Sequence, residues 1–441
     1  QLASPPPLEL DKATLGLFRI VVGLFKKIAL ADALALAIAD RVFEAPERYS
    51  SLEVAAGVVG YALQIYLDFS AYSDIAIGSA QVLGFDMPEN FRTPYRSSNL
   101  QEFWRRWHIS LSTWLRDYLY ITLGGSKGAP WRTYVNLIAT MLLGGLWHGA
   151  SWAFIVWGAL HGFGLAVTRF FQRATSRDRG AAGTLLVRCL VIAAVGIALL
   201  RFVLDDAGTW WQLLVGWLCL TPLWAVLTAW LGSDPVPEPP RPHAQAAVSG
   251  VVPWGVTWRL RPLAGGSLHP QQLAELLRLG MCGAAIGFLA SLELAPHELW
   301  VPAILLVWAL AIAADVVEHG AADAGARLVA LLRRAVATTL VFAYVCLAWI
   351  FFRATTFDNA LDVLRRLAAL ELDHANVVPL VTIALVTGVI CHLFPDGSFR
   401  WMRGRFVALP AWGQGLVLAA AALVLRELAH TKIVPFIYFQ F

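Results

Sequence analysis

Long apolar runs separated by short polar stretches set the rhythm of this chain. Thr14 to Ala39, Val54 to Leu67, Tyr134 to Leu143, Trp152 to Val167 and Ala335 to Phe352 are dominated by Leu, Val, Ile, Ala and Phe. Leu185–Leu204, Trp210–Trp230, Leu279–Leu292, Leu299–Val317, Val377–Leu393 and Trp412–Leu425 repeat the pattern, with Leu279–Leu292 the weakest of them. A helix crosses the apolar core of a bilayer with about 20 such residues, so the series predicts an all-α, polytopic membrane protein. Two stretches instead show helical period. In Gln101 to Tyr120, Trp104, Trp107, Leu111, Trp114, Leu115 and Tyr118 fall on one face, and Glu102, Arg105, Arg106, Thr113, Arg116 and Asp117 on the other. This predicts one amphipathic helix, too charged to face lipid all round, lying at an interface or re-entering beside protein. His108 flanks its apolar face, where periodicity alone makes it an incidental surface histidine. Asp358 to Leu370, in which Leu361, Val363, Leu364, Leu367 and Leu370 stand with Arg365 and Arg366, predicts a second interfacial helix.

Charges inside the apolar runs mark places that need a partner or water. Lys26 and Lys27 interrupt the first run and must snorkel to an interface or face a cavity. The second run continues into Asp68, Ser70, Tyr72 and Asp74, in which Asp68/Tyr72 and Ser70/Asp74 are spaced to share helix faces. Either both carboxylates face a bundle interior, or Asp74 and Ser70 cap a helix end.

The stretch from Leu143 to Trp152 joins two apolar runs and places His148 between them. Gly144, Gly145 and Gly149 permit a sharp turn and close approach of a ligand, and Trp147 and Trp152 offer flat walls with one N–H donor each. Two readings stand: a functional histidine at a cavity, or an interface turn whose tryptophans belong to the aromatic belt.

Composition narrows the classes. Of 441 residues 58% are hydrophobic and 15% charged, well below the quarter usual for soluble domains. The net charge of +4 is spread over loops and gives no nucleic-acid footprint. Arginines at 169, 173, 177, 179 and 188 mark that loop as cytoplasmic. The five cysteines form no CxxC pair and read as packing residues, and no metal-ligand spacing or phosphate loop occurs. Residues 232–279 hold eight prolines among small polar residues and read as a loop insert in one membrane domain spanning 1–441.

Several motifs then carry a resemblance. Tyr66-Leu-Asp-Phe-Ser-Ala-Tyr-Ser-Asp-Ile-Ala-Ile-Gly78, Glu102-Phe-Trp-Arg-Arg-Trp-His-Ile-Ser-Leu-Ser-Thr-Trp114, Gly145-Leu-Trp-His-Gly-Ala150, Trp349-Ile-Phe-Phe-Arg-Ala354 and Pro435-Phe-Ile-Tyr-Phe-Gln-Phe441 stand in this order. Together they resemble the membrane-bound O-acyltransferase (MBOAT) family, in its bacterial branch of alginate O-acetyltransferase membrane subunits, which is related to teichoic-acid D-alanyl transferases. Thr122 stands where the family usually has proline, and 232–279 aligns with nothing in it. The resemblance implies a ring of roughly 9–11 transmembrane helices, with interfacial and re-entrant helices, around a central tunnel. It also implies spans ahead of Gln1.

By the same resemblance His148 matches the family's essential histidine and His108 its second one, which displaces the incidental reading of His108. Imidazole, with an ordinary pKa of about 6.5, suits a general base for acyl transfer to a hydroxyl. His148 is assigned that role, with His108 or a nearby tryptophan N–H, Trp107 or Trp147, positioning the acyl carbonyl or the acceptor. Asp68 and Asp74 are expected to orient a histidine or hold Arg105 or Arg106. The implied donor is acetyl-CoA, with no bound cofactor, and Lys127 and Arg132 are placed to meet its phosphates. The implied partners are an exported polysaccharide acceptor, a periplasmic acetyltransferase or acyl-carrier protein, and membrane lipids, all at the bacterial inner membrane. Two other readings remain: acylation of a lipid, protein or D-alanyl carrier, and a transporter with a proton relay, for which no internal repeat is visible.

Overall fold

The computed structural model describes residues 6–177, 324–371, 373, 375–377, 379–393 and 396–429. The expected spans from Leu185 to Val317, the proline-rich 232–279 segment, Arg179 and Arg188 of the arginine-rich loop and the motif Pro435–Phe441 lie outside them, whereas Arg169, Arg173 and Arg177 of that expected loop belong to the helix Trp152–Arg177. The described residues belong almost wholly to one compact unit, 1–232 with 332–441; of the other, 233–331, only the start of the helix Ala324–Arg353 is described.

Among the described residues every regular element is a helix. Four are long and apolar enough to cross a membrane: Ser51–Val82, Trp152–Phe170, Arg333–Arg353 and Ala411–Leu428. The first expected run is helical from Leu10 to Glu44, but it changes register, passing through wider turns at Lys26–Ala31 and Ala35–Ala39. Such π-turns are uncommon and often accompany functional sites. Here they bring Lys27 inward, so the lysine is buried beside protein charges and does not snorkel.

Ser51–Val82 forms a single uninterrupted helix of 32 residues. It starts at a capping box, in which the Ser50 hydroxyl accepts from the Glu53 N–H while the Glu53 carboxylate accepts from the Ser50 N–H. Asp68 and Asp74 therefore sit within the helix, and the reading of Asp74 as an end cap fails because the helix runs on to Val82. The first helix packs on it almost backbone to backbone. A methyl built on Gly16 would lie 2.5 Å from the Gly78 carbonyl oxygen, and one on Gly78 would lie 2.6 Å from that of Gly16. Small residues permit this approach between membrane helices.

Pro130–His148 and Trp152–Arg177 form a helical hairpin that packs as closely. A methyl on Gly158 would lie 2.5 Å from the Met141 carbonyl oxygen, and Gly145 meets the backbone of Phe154. Gly144 and Gly145 are thus helical residues, and the turn itself is confined to Gly149–Ser151. Ala324–Arg353 joins the hairpin through the Tyr344 hydroxyl, which donates to the Leu160 carbonyl at 2.8 Å. The amphipathic helix Phe357–Ala368 is capped by Thr356 and buries Ala360, Leu361 and Val363. From its far side Arg366 Nε donates to the Tyr49 carbonyl at 2.8 Å.

Candidate active site

The single amphipathic helix expected over Gln101–Tyr120 is two short helices, Leu100–Arg106 and Ile109–Trp114, the second running into a π-turn at Leu115–Tyr120. Asn99 caps the first, its side-chain oxygen accepting from the Glu102 N–H at 2.9 Å. Glu102, expected on the polar face, is buried: it accepts from the Ser98 N–H and hydroxyl at 2.9 Å each and pairs with Arg106 at 2.8 Å. Helical period misplaced it because a hydrogen-bonded, paired carboxylate can be buried.

The break between the two helices falls on His108, which adopts left-handed backbone angles, φ 43° and ψ 58°. That region is disfavoured for residues with a Cβ, so the surroundings must hold it. Asn90 does so: its carbonyl accepts from the Ile109 N–H at 2.9 Å and its side-chain oxygen from the Ser110 N–H at 3.1 Å. The Arg92 N–H also donates to the Arg106 carbonyl at 3.0 Å. The loop before the helix pair thereby turns the His108 ring onto Phe69 of Ser51–Val82, centroids 4.7 Å apart and edge to face.

His148 ends its helix and is half-buried. Its ring meets those of Trp147 at 4.9 Å, Phe352 at 4.9 Å, Trp157 at 5.3 Å and Phe154 at 6.1 Å. The His148 imidazole acts on His108, 40 positions before it by number (148 − 108). Burial and then the His148 imidazole push His108 down to about 3, and burial alone pushes His148 down to about 4. Both rings are neutral near pH 7, each with one donor and one acceptor nitrogen. The less perturbed, His148, is the better base of the two.

Of the other expected residues, Trp107 is buried, touching Phe91 at 5.1 Å and Trp349 at 5.0 Å; Trp349 in turn meets Trp157 at 5.8 Å. An aromatic wall thus runs from the His108 break to the His148 ring. Trp147 has one face on His148 but is 59% exposed. Asp68 pairs with Lys27 at 2.7 Å, and Lys27 also with Asp32 at 2.9 Å. Asp74 pairs with Lys26 at 2.6 Å and Arg19 at 2.8 Å, and Arg19 with Glu89. These ion pairs join the first helix to Ser51–Val82, whereas the expected partner Arg106 is held by Glu102 and Arg105 is exposed. Lys127 and Arg132 are exposed near the start of Pro130–His148, with His148 at its other end. Among the described residues no group of three or more His, Cys, Asp or Glu is placed to hold a metal.

Sequence reading missed four contributors. His161 is fully buried against Trp157, at 4.9 Å, and Trp104, at 5.2 Å. The rule that singled out His148, an ionisable group in an apolar run, applies equally to His161. His392 accepts from the Tyr95 N–H at 3.0 Å and could have been found the same way. Phe352 stood inside a quoted motif without an assigned role, and Asn90 had no local signal, since its partners lie 20 positions on.

Residues 5–203 match the model of MBOAT, the membrane-bound O-acyltransferase family, a region that includes both histidines. Among curated relatives, the probable alginate O-acetylase AlgI of Azotobacter vinelandii is 55% identical over 160 residues, covering 36% of this chain and 32% of that one. The peptidoglycan O-acetyltransferase of Helicobacter pylori is 45% identical over 170 residues, 38% and 32% of the two chains. The teichoic acid D-alanyltransferase of Bacillus subtilis is 35% identical over 121 residues, 26% and 31%. The chain spans about a third of the length of the curated relatives it matches, 32% for the first of them. The resemblance read in the motifs is supported over this region, and the protein is a membrane protein similar to MBOAT O-acyltransferases.

Proposed function

We propose, from the family match over residues 5–203, that this chain is the membrane part of an O-acyltransferase. It moves an acetyl group from cytoplasmic acetyl-CoA across the bacterial inner membrane to hydroxyls of an exported, alginate-like polysaccharide, together with a periplasmic partner. The observation that carries the reading is that His108 and His148, delivered by separate helical breaks, stand at the two ends of one aromatic wall formed by Trp107, Trp349 and Trp157. In this reading they lie at the tunnel that the family's ring of helices encloses.

His148 takes the proton of the acceptor hydroxyl as its oxygen attacks the thioester carbon. His108, the weaker base, donates from its N–H to the acyl carbonyl or the acceptor oxygen. When the C–S bond breaks, His148 returns its proton to the CoA thiolate, giving ester and free thiol. From Arg132 to His148 the helix rises by about 24 Å, at ~1.5 Å per residue. A donor with phosphates at Lys127 and Arg132 and its thioester at His148 must therefore be elongated, as acyl-CoA is.

A second acceptor reading has its own support, since one relative is named for peptidoglycan and another for D-alanyl transfer to teichoic acid. O-acetyl analysis of surface polymers from cells with and without the protein tests both. Loss of acetyl from an exopolysaccharide is expected. Loss from peptidoglycan alone moves the acceptor to the second reading, and no loss from any polymer refutes acetyl transfer.

A further inference from the structure

Trp157 is the ring that connects the site to an unexplained polar cluster. It is 2% exposed, lies 5.3 Å from the His148 ring and 4.9 Å from the His161 ring, and touches Trp104 at 5.9 Å. Its indole N–H, that of Trp104 and both ring nitrogens of His161 are buried without a hydrogen-bond partner among the described residues. Buried polar groups are normally paired, and those left unpaired in a folded protein call for a reason. Tryptophan has a donor and no acceptor, so what the Trp157 N–H awaits is an acceptor oxygen or nitrogen. Acyl transfer creates one beside His148: the thioester carbonyl oxygen, which becomes an oxyanion as the hydroxyl adds.

We propose that the Trp157 indole N–H donates to the acyl carbonyl oxygen as it becomes an oxyanion, and that His161, packed against the indole, positions it. The inference rests on the acyl-transfer reading above and names the donor that reading left open. A fixed donor in a dry site needs no reorganisation when the charge develops, so it acts on the transition state more than on the bound donor. His161 acts through packing: its ring lies edge to face on Trp157 and Trp104 and parallel to Phe103, at 6.1 Å. Trp147 also touches His148, but it is 59% exposed and lacks the buried, fixed setting of Trp157.

Trp157→Phe removes the N–H and keeps an aromatic ring. In purified protein in lipid, with a small alcohol as acceptor, kcat is expected to fall by about 100-fold or more, the range for loss of one oxyanion donor. KM for acetyl-CoA should stay within roughly threefold, since the interaction belongs to the transition state. Trp104→Phe, which deletes an N–H from the same cluster, should keep kcat within about threefold. Binding of two inert analogues supplies a readout apart from turnover: a trifluoromethyl ketone of CoA, which adds water or an alcohol to give a tetrahedral, oxyanion-like adduct, and S-ethyl-CoA, which lacks the carbonyl. Wild type should prefer the ketone, Trp157→Phe should lose that preference, and His161→Phe should weaken it. A Trp157→Phe protein with wild-type kcat, or with the preference intact, overturns the proposal, as does an equal loss in Trp104→Phe. Wild-type protein that binds neither analogue overturns the acyl-CoA reading itself, and this inference with it.

Discussion

Asp68 separates an architectural role from a substrate-binding one, because its surroundings are known and its removal has a calculable effect. The carboxylate is 4% exposed and the ammonium of Lys27, 2.7 Å away, is 9% exposed. Removing one member of a buried pair leaves a charge without compensation and costs about 3–5 kcal/mol. Lys27 keeps Asp32 at 2.9 Å, so Asp68→Asn belongs at the lower end, about 3 kcal/mol. At roughly 2–4 °C per kcal/mol for a domain of this order, the thermal midpoint in detergent should fall by about 6–12 °C. The decisive variant replaces the triad with apolar residues: Lys27→Met, Asp32→Leu and Asp68→Leu together. Apolar replacement of a buried ion pair is often neutral, so stability should return to within about 2 kcal/mol of wild type, and acyl transfer with it. If the triple variant is stable yet inactive, Asp68 contacts substrate and the architectural reading is wrong. A thermal midpoint unchanged in Asp68→Asn would refute the burial argument directly.

Four further outcomes follow from the site and its frame. His148→Ala should abolish acyl transfer while expression stays near normal, and His108→Ala should be severely impaired with residual turnover; wild-type acetylation in either removes its assigned role. The base works unprotonated, so activity is lost as pH falls through its pKa. With His148 held at about 4 by burial, kcat/KM should persist below pH 5, and an acid limb near the ordinary value of about 6.5 would contradict this. Gly158→Leu should force the hairpin apart at Met141, since overpacking commonly costs about 1–3 kcal/mol, and a midpoint equal to wild type would exclude the close approach. Purified protein alone should bind or slowly hydrolyse acetyl-CoA without acetylating polymer efficiently, and efficient polymer acetylation by the chain alone would refute the need for a partner.

Much of the fold was legible because burial in a membrane protein is written as continuous apolarity. Ser51–Val82, Trp152–Phe170, Arg333–Arg353 and Ala411–Leu428 coincide with runs read directly from the chain. Helix ends and faces were less legible. The choice between an interior carboxylate and a helix cap stayed open for Asp74 because sequence shows charges but not their partners, and the partners of the two aspartates, Lys26, Lys27 and Arg19, lie more than 40 positions away. Gly144 and Gly145 looked like turn residues because glycine serves turns and close helix contacts equally well, and only what faces them decides: the backbone of Phe154 and Gly158 for Gly145 and the Leu115 side chain for Gly144.

The site resisted periodic reading for a related reason: chemistry sits where the helices stop. Periodicity over Gln101–Tyr120 assumes one unbroken helix and puts His108 on a flank, but the chain breaks there, and the left-handed backbone redirects the ring inward. Nothing in Trp107-His108-Ile109 demands that break; it is imposed by Asn90, whose side chain and carbonyl take the N–H groups of Ile109 and Ser110. His148 likewise owes its place to the end of its helix at Gly149, where backbone angles of φ 165° and ψ 157° release the chain into the turn. A strained or terminal residue can present a side chain at an angle that helical geometry forbids, and that freedom needs support from elsewhere in the fold. The resemblance to a family found both histidines because motifs record the outcome of that arrangement. Local physics alone found His148 as one of two readings and passed over His161, whose aromatic neighbours come from three separate helices: Leu100–Arg106, Trp152–Arg177 and Ala324–Arg353.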